Sequence, residues 1–141
     1  MFVADGDTLR VGDETVRLAG MDAVERGQFC TDPRGITWTC GESARVALDE
    51  MVARGGLRCT RIERDRYRRT VARCSVRGVG DIGAAMVAAG WAISSEPLYD
   101  AKEKDARSAK QGIWAGTFEA PKGWRAHNLI APKVAGQPEG N

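Results

Sequence analysis

Four cysteines, Cys30, Cys40, Cys59 and Cys74, constrain what this chain can fold into more than any other feature of it. None falls in the short CxxC spacing that suits zinc or a redox dithiol, and an even count at wide spacing favours two disulfides. Four buried, reduced thiols are the alternative. Of the three possible pairings, Cys30–Cys40 would staple a loop rich in Gly, Thr and Pro. Cys59–Cys74 would tie two strands that face each other. Disulfides place the protein in an exporting pathway, periplasmic or extracellular, with the cytoplasm as the alternative. The residues before Asp5 have neither the basic start nor the apolar stretch of a signal peptide, so export implies a segment upstream of this chain.

The patterning around the cysteines predicts a mixed α and β domain. Residues 2–22 alternate as short strands, with Gly12-Asp13-Glu14 as a hairpin turn. This sets Asp5 to Thr8 and Asp22 to Glu25 at strand ends. Residues 26–41 read as a surface loop. From Glu42, the apolar positions Ala44, Ala47, Leu48, Met51 and Val52 share one helical face, which Gly55-Gly56 closes. Residues 57–62 and 70–76 read as antiparallel strands around the charged turn 63–69. Asp81 is placed to cap a second helix ending at Gly90, and a third is expected over 100–111, closed by Gly112. Residues 1–125 are read as the domain and 126–141 as a flexible tail of Pro, Gly and polar residues.

A chain of 141 residues with 43% hydrophobic content suits one domain. No apolar run approaches the roughly 18 residues needed to cross a bilayer, so membrane insertion is not expected. The net charge of +2 advertises no global affinity for nucleic acid, and the single histidine, His127, excludes two-His hydrolytic mechanisms. Chemistry must therefore come from local clusters. Asp5, Asp7, Asp22 and Glu25 gather carboxylates at two strand ends, where a hard cation would relieve their mutual repulsion. Arg17 lies between them in sequence. Between Arg61 and Arg77, seven arginines face two acids, Glu63 and Asp65, a stripe that suits a polyanion.

The segments Asp5-Gly6-Asp7-Thr8, Val16-Arg17-Leu18-Ala19-Gly20-Met21-Asp22-Ala23-Val24-Glu25 and Asp65-Arg66-Tyr67-Arg68-Arg69 resemble, in order and spacing, the three motifs of the staphylococcal-nuclease-like (thermonuclease) family. Residues 86–92 and Gly112-Ile113-Trp114 are similar to later segments of that family. The resemblance spans roughly residues 3–114. It implies an OB-type five-stranded β-barrel with three helices, and a monomeric, calcium-dependent phosphodiesterase acting on DNA and RNA with 3′-phosphate products. It assigns Asp7, Asp22 and the backbone carbonyl of Ala23 to Ca2+. Glu25 matches the general base, and Arg17 and Arg69 match the arginines on the scissile phosphate. Asp5, Thr8, Tyr67 and Arg68 take supporting or substrate-binding places.

Those residue types suit that chemistry, because Arg matches phosphate geometry bidentately and a carboxylate can orient and deprotonate water. Two departures stand out. Val24 replaces the family's usual Pro, which is expected to loosen the loop carrying Glu25. Arg68 replaces its usual Gly, which is strained if the turn needs a positive φ. Of the aromatics, Trp38 is the one placed to meet substrate, while Trp91, Trp114 and Tyr99 are expected to pack. The rival reading is a catalytically impaired OB-type module that binds nucleic acid through its arginines.

Overall fold

The computed structural model describes residues 1–130. Ten strands and four α-helices follow one another as β1 (Phe2–Asp5), β2 (Thr8–Val11), β3 (Glu14–Leu18), β4 (Met21–Ala23), β5 (Cys30–Thr31), β6 (Thr37–Trp38), α1 (Cys40–Val52), β7 (Arg58–Arg64), β8 (Thr70–Val76), β9 (Gly80–Asp81), α2 (Ile82–Ala88), β10 (Ala92–Ser94), α3 (Asp100–Ser108) and α4 (Pro121–Ile130). The main sheet has the order β1-β2-β3-β8-β7, with β9 on β8. All its pairings are antiparallel except β3 with β8, where Val16 lies beside Thr70 and Arg17 beside Val71. Two smaller pairs, β10 with β4 and β5 with β6, complete the strands.

Three expectations are corrected. The sheet is not closed into the five-stranded barrel, because among the described residues no ladder joins β1 to β7. A physical reason is visible in β7, where all seven residues are exposed and Arg58, Arg61, Glu63 and Arg64 sit on the open edge. Among the described residues the α-helices number four, not three. Residues 126–130, assigned to a flexible tail, belong to α4, which starts at Pro121, a residue whose fixed φ suits the first helical turn. The rest of that expected tail, residues 131–141, lies outside the described residues.

Several elements match the patterning. Strand β8 alternates, burying Thr70, Ala72, Cys74 and Val76. Helix α1, packed beside β1 and α2, buries Ala44, Leu48 and Val52 in the core, each large aliphatic side chain contributing about 1.5 to 3 kcal/mol. Asp81 caps α2 by accepting from the backbone N–H groups of Gly83 and Ala84 at 2.9 and 3.2 Å. Helix α3 stops at Ser108, three residues short of expectation, because the chain turns left-handed at Lys110 and Gly112. Both disulfides pair as read, Cys30–Cys40 and Cys59–Cys74, the second joining residues directly opposite each other on β7 and β8.

Candidate active site

The turn from β1 to β2 carries Asp5-Gly6-Asp7-Thr8 over the core. A Cβ on Gly6 would meet the Ala23 Cβ at 2.8 Å and that of Ala44 at 3.0 Å. Only glycine lets the turn lie that deep. Asp7 is buried as a result, and its carboxylate becomes a hub. Oδ2 accepts from the Ala23 N–H at 3.0 Å, and Oδ1 accepts from the Thr8 hydroxyl at 2.9 Å. Arg17 Nη1 lies 3.2 Å from Asp7 Oδ2, and Nη2 lies 3.3 Å from Asp22 Oδ1. The same guanidinium donates to the carbonyls of Leu18 and Met21 at 3.1 and 3.0 Å. Asp7, Thr8, Arg17, Asp22 and Ala23, drawn from β2, β3, β4 and the turn before β2, thus come together. Ala23 pairs with Ala92 across β4 and β10.

Glu25 follows on the loop that Val24 opens. Val24 is fully buried, and its N–H donates to the Trp91 carbonyl at 3.3 Å. Proline there would lose that bond. Gln28, a residue the sequence did not single out, ties the loop from both sides. Its Oε1 accepts from the Glu25 N–H at 3.0 Å, while its backbone carbonyl accepts from the Gly41 N–H at 3.1 Å. A Cβ on Gly41 would lie 1.7 Å from the Glu25 carbonyl oxygen, so helix α1 can abut this loop only through glycine.

The feature most distant in sequence is Arg125 on α4. Its Nη1 lies 3.0 Å from Asp22 Oδ1 and 2.5 Å from Glu25 Oε2, and its Nη2 donates to Asp22 Oδ2 at 3.2 Å. Hydrogen bonds to Asp22 foremost, then to Glu25, raise its pKa against the opposing effect of burial. Helix α4 is anchored nearby as well: Gln28 Nε2 donates to the Glu119 carbonyl, and a Cβ on Gly27 would reach the Trp124 ring at 3.7 Å. The local signal was Pro121 opening a segment with Trp124, yet nothing in the sequence joins Arg125 to a carboxylate 100 residues away.

Four carboxylates therefore face two guanidiniums, and the imbalance is felt. Burial foremost, followed by the neighbouring charges of Asp7 and Glu25, pushes the Asp5 carboxyl up to about 8. Burial also raises Glu25, partly offset by its hydrogen bond from Arg125. Such a set fits a hard divalent cation, since its donors are all oxygens and its charge is in excess. As they stand, no three acidic, His or Cys side chains among the described residues are arranged to hold one. Arg17 and Arg125 engage the carboxylates instead.

The third motif forms the turn between β7 and β8. Asp65 organises it, with Oδ1 accepting from the N–H groups of Tyr67 and Arg69 at 2.9 Å and Oδ2 pairing with Arg69 Nε at 2.7 Å. The Arg69 guanidinium also lies 5.5 Å from the centre of the Tyr67 ring. No hydrogen bond or ion pair among the described residues joins it to the carboxylate cluster. Arg69 lies just before β8, two residues ahead of Val71, the partner of Arg17. Arg68 adopts φ of +67°, the left-handed conformation that glycine favours. Trp38, the aromatic considered for substrate contact, packs edge-on to Trp91 at 6.0 Å between ring centres.

The family model for the staphylococcal nuclease homologue matches residues 15–116. Similar curated proteins include the succinoglycan biosynthesis protein ExoI of Rhizobium meliloti, 35% identical over 117 residues that cover 79% of this chain and 61% of ExoI. An uncharacterized endonuclease of Haemophilus influenzae is 30% identical over 139 residues, 91% of this chain and 72% of that protein. The probable endonuclease lcl3 of Botryotinia fuckeliana is 28% identical over 147 residues, 92% of this chain and 54% of that protein. The chain thus spans less than two thirds of ExoI and about half of lcl3. Since the matched region runs from β3 to just past α3 and contains Arg17, Asp22, Glu25 and Arg69, this chain belongs to the staphylococcal nuclease homologue family.

Proposed function

We propose that the protein is an exported, calcium-dependent nuclease that hydrolyses phosphodiester bonds of DNA and RNA. The observation that carries this reading is the convergence of Asp7, Arg17, Asp22 and Glu25, from the β1–β2 turn, β3, β4 and the loop after β4, on one cluster joined through the Arg17 and Arg125 guanidiniums. Asp7, Asp22 and the Ala23 carbonyl would hold the metal, with Asp5 in a supporting place beside them. When bound, calcium supplies a hard positive charge that offsets the charge developing on the phosphodiester oxygens.

Arg17 and Arg69 bind the phosphate in this reading, each through a planar fork of donors. Arg17 is already oriented by two carbonyls and two carboxylates, so little freedom is lost on binding. Glu25 orients the attacking water and accepts its proton, with its backbone fixed by Gln28. Thr8 steadies Asp7. Tyr67 and Arg68 border the turn, where they meet the substrate chain. Cleavage leaving 3′-phosphate ends and action as a monomer complete the reading. Both disulfides support export. No helix among the described residues is long and apolar enough to cross a membrane.

Digestion of single-stranded DNA in calcium, then in excess chelator, tests the proposal. Activity is expected only with calcium, and Asp22→Ala and Arg69→Ala are each expected to lower turnover about 10²- to 10³-fold. Binding of DNA without cleavage in either condition would leave a nucleic-acid-binding module instead.

A further inference from the structure

Arg125 has no place in the proposed chemistry, yet its guanidinium occupies the two carboxylates that the chemistry needs. Nη1 and Nη2 engage both oxygens of Asp22, and Nη1 also reaches Glu25 Oε2. A cation on Asp22 and a guanidinium on Asp22 compete for the same lone pairs and repel each other. Arg17 touches Asp22 through a single 3.3 Å contact to Oδ1 and leaves Oδ2 open, whereas Arg125 covers both oxygens, so the Arg125 grip is the one a cation on Asp22 has to loosen.

Helix α4 holds Arg125 there by independent contacts. Gln28 Nε2 binds the Glu119 carbonyl, just before Pro121 opens the helix. Trp124 packs on Gly27 within the Glu25 loop. The Arg125 side chain is nevertheless 39% exposed, against 13% for Asp22 and 18% for Glu25. It can leave towards solvent by changing rotamer, without dismantling the helix. Arg17 differs, being 19% exposed and fastened to two backbone carbonyls besides its carboxylates.

We propose that Arg125 is a built-in competitor for the divalent cation, setting the metal concentration at which the Asp22 and Glu25 carboxylates are released for use. This rests on the metal-binding part of the proposed function. Without metal, Arg125 compensates Asp22 and blocks one oxygen of Glu25. With metal, Asp22 turns to the cation, and Glu25 is freed to face water. A threshold of this kind would keep the site idle wherever calcium is scarce.

Calorimetric titration of calcium into the parent protein, Arg125→Ala, Arg125→Lys and Asp22→Ala tests it, with circular dichroism to verify that each is folded. Arg125→Ala is expected to bind calcium about 5- to 100-fold more tightly than the parent, the range typical of coupling between two ligands. Arg125→Lys, which keeps the charge but loses the two-pronged grip, should fall between them. Asp22→Ala should bind weakly or not at all. Equal or weaker calcium affinity in folded Arg125→Ala, with Asp22→Ala still impaired, would overturn the competitor and leave the metal site standing. Absence of calcium binding in both the parent and Arg125→Ala would overturn the metal reading and the competitor with it.

Discussion

Raising the pH through the titration of Tyr99 is expected to abolish, and then reverse, the advantage that this residue holds over phenylalanine. Tyr99 is 2% exposed, and its ring lies beneath Gly20, where an added Cβ would sit 2.7 Å from Cε2. It thereby supports the turn that leads into Asp22. Its hydroxyl donates to Asp81 Oδ2 at 2.6 Å and accepts from Arg73 Nη1 at 3.2 Å. Burial foremost, then the bond to Asp81, pushes the phenol up to about 12 from the ordinary 10.0. A raised phenol means that the native state keeps a proton the unfolded chain has lost. The associated stability is therefore fully present below pH 10 and is lost as pH rises through 12. At about 1.4 kcal/mol per unit, the loss approaches 3 kcal/mol, half of it spent near pH 11. At neutral pH, Tyr99→Phe removes the hydroxyl bonds at a cost of about 1 to 2 kcal/mol. The stability curves of parent and variant should therefore cross near pH 11. Urea midpoints across the alkaline range measure this, since effects of other groups cancel in the difference. A parent that keeps a constant lead throughout would refute the role given to the Tyr99–Asp81 bond.

Asp7→Ala should destabilise the chelated protein by about 2 to 4 kcal/mol, because it strands the buried Ala23 N–H and uncovers Arg17; thermal unfolding reads this, and an unchanged midpoint would contradict it. Peptide mapping without reductant should recover Cys30–Cys40 and Cys59–Cys74 as linked pairs, and reduction of the first, which closes a short loop, should cost about 2 to 3 kcal/mol. Arg68→Gly should stabilise the fold by up to about 1 kcal/mol by relieving the φ of +67°. The same variant should weaken DNA binding and flatten its salt dependence, while turnover stays near the parent value.

The parts of this molecule legible from sequence are those whose partners lie nearby in the chain. Asp5 to Thr8 and Arg17 to Glu25 could be set together because a two-residue hairpin pairs Thr8 with Arg17, and turn chemistry makes that register readable. Cys59 and Cys74 could be paired because their strands flank one turn. Contacts made across the fold left no such trace. Arg125 reaches Glu25 across 100 residues, from a segment at the very border between the expected domain and the expected tail. The seating of the Glu25 loop depends on Gly41 and Gln28, which carry no chemistry and so drew no notice. Closure of the sheet was a matter of whether two edges meet, and no local pattern reports that.

The open edge of β7 has a consequence for how copies of this protein meet one another. A seven-residue strand exposed along its whole length, with Ile62 at 49% exposure, is a template onto which another strand could dock and start aggregation. Arg58, Arg61 and Arg64 deter that, because a second copy arriving edge to edge would bring its own like charges into register. The arginine stripe thus guards solubility as well as suiting a polyanion. Replacing those three residues with neutral polar ones to weaken nucleic-acid attraction would therefore also strip the edge of its protection, and the variant would gain a tendency to self-associate as it lost affinity for its substrate.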